Sequence, residues 1–184
     1  SVLTGIYKEP LAGPVRITED GLPGDAVVDK RHHGGPDQAL YLYGTVDYDW
    51  WASELGAPLA PGTFGENLTV EGLASATCAA GDRLHIGDVI LEVTAPRIPC
   101  GTLAARMSDR DFITRFREAE RPGVYCRVIR TGEVHVGDRV ILESYPAERV
   151  TLLELFRNFY NRDLNEAGLR RALAAPIAVR ERAH

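Results

Sequence analysis

Cysteine is scarce in this chain, and its three copies, Cys78, Cys100 and Cys126, form an odd set with no CxxC pair. That spacing excludes a disulfide framework and a cysteine-rich zinc site, so each thiol is expected to be free, in a reducing compartment. Positive charge is not in surplus: 21 basic against 26 acidic residues leave a formal charge of -5. Nucleic-acid polymers and anionic membranes are thereby disfavoured as partners, because both select a basic excess. No apolar run approaches the ~20 residues of a membrane span. The start, Ser1-Val2-Leu3-Thr4, has no signal-peptide pattern, and the expectation is a cytoplasmic protein. Lysine is nearly missing, with only Lys8 and Lys30 among the arginines.

What is present suits a globular protein. The 184 residues, 45% of them hydrophobic, suffice for one full core with a small appendage or for two small domains. Up to Glu143 the chain reads as short strands between Gly-Asp turns, clearest at Arg83–Ile86, Val89–Val93 and Val124–Ile129. Alternation with β-branched residues between glycine turns predicts antiparallel strands in a sandwich or barrel. Three helices interrupt it. Pro36 suits the first turn of a helix through Leu42. Thr45 can cap a second through Tyr48, Trp51 and Leu55, ended by Gly56. A third runs from Asp109 through Phe112, Ile113 and Phe116 on one apolar face. Trp50 and Trp51 read as helix packing and surface contact. After Glu143 the pattern changes. Thr151-Leu152-Leu153-Glu154 is a capping box, Asn165 can cap a second helix, and Pro176 opens a weaker third segment. The expected division is a β-barrel-like domain over 1–146 and a three-helix appendage over 147–184, too small to be stable alone.

Three segments can carry chemistry. A lone cysteine is usually a small buried hydrophobe, but Cys100 has a particular setting. It ends Pro96-Arg97-Ile98-Pro99-Cys100, a loop stiffened by two prolines, and Gly101 after it admits close approach. Arg97 can stabilise a thiolate there, which suits a soft metal ligand or a nucleophile. Cys126 falls inside an apolar strand, and Cys78 in a small-residue loop without a charged neighbour. The second segment runs from Gly24-Asp25 to His32-His33-Gly34-Gly35-Pro36-Asp37, where paired glycines before a helix can aim N–H groups at an anion. A tight loop explains the same glycines. The third, Gly62-Thr63-Phe64-Gly65-Glu66-Asn67, suits either a ligand loop using the Asn67 amide or a hairpin turn.

Together with Thr4-Gly5-Ile6-Tyr7-Lys8-Glu9-Pro10 and Gly123-Val124-Tyr125, these segments resemble in order the MOSC family, named for the C-terminal domain of molybdenum-cofactor sulfurases. The likeness is to its small bacterial YiiM-type branch, including three terminal helices. It implies a mainly β fold with added helices, a barrel-like core, and molybdenum held by a pterin dithiolene (molybdopterin). Cys100 would be the protein ligand to the metal. Lys8, Arg97, His33, Gly34 and Gly35 would line the pocket for the pterin and its phosphate. Asn67 and Asp25 also match motif positions; Asp25, His33 or Asn67 would deliver protons or orient substrate. The implied activity is reduction of N-hydroxylated substrates such as hydroxylaminopurines. No flavin or iron–sulfur motif is visible, so electrons would come from a separate electron-transfer protein, expected to contain flavin. The rival function is a carrier or store of the cofactor, or a sulfur relay through a Cys100 persulfide; a plain structural barrel is the third. Two departures from the pattern stand out. The start is short, since relatives usually carry a longer first strand before Thr4-Gly5-Ile6, and Gln38 stands where relatives often have lysine, which would weaken a phosphate contact.

Overall fold

The structure, a computed structural model, describes residues 5–11, 13–25 and 35–183. In chain order these contain β1 (Val15–Ile17), β2 (Leu40–Gly44), α1 (Thr45–Leu55), β3 (Leu68–Val70), β4 (Arg83–Ile86) and β5 (Val89–Ala95). There follow α2 (Gly101–Arg106), α3 (Phe112–Ala119), β6 (Val124–Arg130), β7 (Gly132–Val134), β8 (Val140–Glu143), α4 (Leu152–Asn161) and α5 (Glu166–Ala174). Six strands make a curled half-barrel in the order β3-β2-β6-β5-β4-β8, and β1 pairs with β7 beside it.

The expected Gly-Asp turns are there for a backbone reason. Gly81, Gly87 and Gly137 all have positive φ, and Gly87-Asp88 is the whole two-residue connection from β4 to β5. Neighbouring strands are antiparallel with one exception: β2 and β3 run parallel, joined through α1. The segment after Gly62 is therefore the return from a crossover and not a hairpin.

The helix expected from Pro36 to Leu42 is not formed. Pro36–Gln38 makes one 3-10 turn, and Leu40–Gly44 is a strand with every residue buried. A run buried on both faces has no period of two in polarity, so it cannot be told from a helix by pattern. Its two faces serve different cores. Leu40 and Leu42 join Leu91, Val93, Val124 and Cys126 on one side. Tyr41 and Tyr43 join Trp51, Phe64, Phe112, Phe116 and Tyr125 on the other. The second, aromatic side carries the candidate site.

The remaining helices follow their sequence signals closely. Gly56 closes α1 in the left-handed conformation, although Gly44 rather than Thr45 is the N-cap. The helix expected from Asp109 begins at Phe112, and α2 before it has no signal in the sequence. Thr151 and Glu154 complete their capping box, and the Asn165 side chain accepts from the Gly168 amide. Terminal residues share the barrel's apolar clusters: Val150, Leu152, Leu155 and Ile177 in the first, Phe156 and Ala178 in the second. No helix among the described residues is long and apolar enough to cross a membrane.

Candidate functional site

Strand β5 ends at Ala95, and the proline-bracketed loop carries the chain to Cys100, the extended N-cap residue of α2. Cys100 is partly exposed. Arg97, three residues earlier, is only 5% exposed, and its Nη1 donates to the Phe64 carbonyl. The guanidinium lies over the Tyr41 ring, 4.8 Å from the ring centre. Its Nε is buried with no acceptor. Burial works against the Arg97 charge, but the Tyr125 and Tyr41 side chains and the Cys100 thiol together hold it above the usual arginine value. Arg97 and Cys100 are thus electrostatically joined.

A second group lies near Arg97. The Lys8 ammonium forms an ion pair with Asp25 Oδ1, and Asn67 Nδ2 donates to Asp25 Oδ2 at 2.7 Å. Asn67 is fixed by β2: its Oδ1 accepts from the Tyr41 amide at 2.8 Å and its own amide donates to the Tyr41 carbonyl at 2.7 Å. Burial, then repulsion from Arg97, lowers Lys8 to about 8. Gly65 lets these parts converge. A Cβ there would sit 2.8 Å from Ile6 Cγ1 and 3.6 Å from Arg97 Nη1, at a φ of +74°.

Of the residues singled out from sequence, Lys8, Asp25, Asn67 and Arg97 come together, with Cys100 beside Arg97. Gly35 reaches the same end of β5 by another route: it precedes the 3-10 turn, where the Asp37 carbonyl accepts from Thr94 Oγ1 at 2.6 Å. His33 and Gly34 lie outside the described residues. Cys126 is fully buried, as expected for a core thiol. Cys78 is also buried but does have charged neighbours, because folding brings Asp82, Asp47 and Arg149 near it; burial and Asp82 push its thiol up to about 12.

Two contributors escaped the sequence reading. Glu66 is buried and shapes the third segment from within: its Oε1 accepts from Tyr48 Oη at 2.5 Å, Gly62 N at 2.7 Å and Thr69 Oγ1 at 2.9 Å. Arg106, at the end of α2, donates to the Thr63 carbonyl at 2.6 Å and the Gly62 carbonyl at 3.0 Å. Arg106 thus binds this loop to α2, whose N-cap is Cys100, and Glu66 ties it to α1 through Tyr48. Glu66 stood within a quoted motif and was a readable candidate; nothing near Arg106 in sequence marks it.

The MOSC domain model matches residues 29–141. The chain belongs to the MOSC domain family. It is 31% identical to YflK of Bacillus subtilis strain 168 over 171 residues, covering 93% of this chain and 77% of that one. It is 34% identical to YiiM of Escherichia coli K12 over 135 residues, 71% of this chain and 60% of that protein. A protein of Gibberella moniliformis named a reductase is 32% identical over 162 residues, 85% of this chain and only 28% of its own length. Among solved structures, YiiM of Geobacillus stearothermophilus superposes with a TM-score of 0.84 at 26% identity, covering 98% and 87% of the two chains. YiiM of Escherichia coli gives 0.79 at 28% identity, covering 94% and 83%. The barrel-like MOSC core that the resemblance implies is found as a curled half-barrel.

Proposed function

We propose that this MOSC protein is a molybdenum-cofactor reductase of N-hydroxylated compounds such as hydroxylaminopurines, with Cys100 as the thiolate to the metal. The observation that carries the reading is the Cys100–Arg97 pair: a partly exposed soft ligand beside a buried cation with an unused Nε donor. A buried donor without an acceptor calls for an oxygen- or nitrogen-bearing ligand, and a thiolate suits a soft metal. The residues present therefore fit an anionic, metal-bearing cofactor. The MOSC family match and the reductase name of the Gibberella relative support the same class.

The overall change is R–NH–OH with two protons and two electrons giving R–NH2 and water. When bound, the cofactor supplies the two-electron change. The chain's part is binding and proton supply. Arg97 and Lys8 would hold negative charge on the ligand, and the resemblance assigns His33, Gly34 and Gly35 to the pterin. Lys8 Nζ, paired with Asp25, carries a proton below about pH 8. Asn67 holds the Asp25 carboxylate by its amide and so fixes where that proton sits. Electrons arrive from a separate flavin-containing electron-transfer protein.

The test is turnover of a hydroxylaminopurine by the full chain, prepared in cells that make the cofactor and driven by an artificial reductant. Formation of the aminopurine is expected, with a rate that falls as pH rises through about 8 and Lys8 loses its proton. Reversible transfer of cofactor to an acceptor protein without turnover would make the chain a carrier instead. Sulfur transfer from a Cys100 persulfide would make it a relay.

A further inference from the structure

Among the described residues one aromatic side chain is exposed, and it lies beside the site. Tyr7 has 66% of its surface in water, whereas the other exposed large apolar residues are aliphatic. Both chain neighbours fix its place. Ile6 is buried in the aromatic cluster, and Lys8 reaches Asp25. Gly62 lies against Lys8, where a Cβ would come 2.8 Å from the Lys8 carbonyl oxygen. The Tyr7 ring is itself backed by a cation, with the Arg106 guanidinium 4.6 Å from the ring centre. That guanidinium cannot drift, because its Nε and Nη2 are bonded to the Thr63 and Gly62 carbonyls. An aromatic face held this way is rigid before any ligand arrives, which lowers the cost of binding to it.

Two routes connect this ring with Cys100. Along the first, Arg106 ends α2 and Cys100 is its N-cap; six residues at a rise of 1.5 Å place them about 9 Å apart along the helix. Along the second, Ile6 and Arg97 both lie against Gly65, and Arg97 stands three residues before Cys100. The start of α2 is open. Gly101 and Thr102 are exposed, and a Cβ at Gly101 would meet nothing within 4 Å. A planar ligand whose reacting nitrogen is at Cys100 therefore has an aromatic face within its own length. Heteroaromatic rings stack on such a face whatever their substituents, because each presents a π surface; an aliphatic hydroxylamine presents none.

We propose that Tyr7, backed by Arg106, is a stacking platform that selects planar heteroaromatic N-hydroxylated substrates over aliphatic ones. The reaction rests on the function proposed above; the platform itself does not. Full-length wild type, Tyr7→Ala and Tyr7→Phe from cofactor-competent cells are compared for kcat/KM on a hydroxylaminopurine and on N-methylhydroxylamine, with an artificial reductant. Adenine binding is measured on the same proteins by calorimetry. Loss of one stacked ring in Tyr7→Ala is expected to lower the preference for the purine, and the affinity for adenine, roughly tenfold. Tyr7→Phe keeps the aromatic face and should keep both. An equal fall on the two substrates, or an undiminished preference in Tyr7→Ala, overturns the platform. So does a Tyr7→Phe chain as impaired as Tyr7→Ala. If wild type reduces neither compound, adenine binding decides. Affinity lost in Tyr7→Ala and kept in Tyr7→Phe leaves the platform in place while the reductase reading falls. Adenine affinity equal in wild type and Tyr7→Ala, or absent from both, overturns the platform.

Discussion

The Cys100→Ser chain is expected to fold like wild type and to retain no molybdenum and no reductase activity. The two halves of that result have separate causes. Cys100 is the N-cap of α2, and serine is among the residues preferred there, so the backbone loses nothing. A serine hydroxyl at that position is a poor replacement for a soft thiolate, so the metal is released. Cys126→Ser and Cys78→Ser should keep their molybdenum. Each places a hydroxyl at a buried position and should lose about 1–3 kcal/mol of stability. Molybdenum content and melting temperature of the three variants separate ligand from core. Normal molybdenum in Cys100→Ser would remove the thiolate from its assigned role.

Deleting residues 147–184 is expected to have the largest effect on the fold. Leu152, Leu155, Phe156 and Ile177 are buried in clusters shared with barrel strands. Fully burying such side chains stabilises by about 1.5–3 kcal/mol each, which together rivals the whole stability of a typical domain at about 5–15 kcal/mol. One backbone bond is lost as well, since the Val150 carbonyl accepts from the Ala80 amide at 3.0 Å. The truncated chain should lose cooperative thermal unfolding and bind a hydrophobic dye. A truncated chain that melts cooperatively and retains molybdenum would show 1–146 to be an independent barrel carrying the site.

Local rules made much of this architecture legible. Strands β4, β5 and β6 announced themselves by alternation and Gly-Asp turns, α1 by Gly56, and α4 by its capping box. β2 did not, because Ala39-Leu40-Tyr41-Leu42-Tyr43 is apolar throughout and is buried from both sides. The same contrast holds at the site. Cys100, Arg97 and Asn67 lie in segments with proline or glycine punctuation, which marks unusual backbone before any contact is known. Cys78 looked isolated in sequence because Asp47 and Arg149 reach it only through folding. Arg106 was unreadable for that reason too. Glu66 differs from them, since its partners lie close in the chain and only its burial was hidden.

The most direct measurement of the central claim is the metal and pterin content of the full wild-type chain purified from cells that make the molybdenum cofactor, with Cys100→Ser prepared in parallel. The account predicts molybdenum and pterin together, near one of each per chain, and neither in the Cys100→Ser protein. Wild type that carries neither from cells in which a control molybdenum enzyme is fully loaded would contradict it.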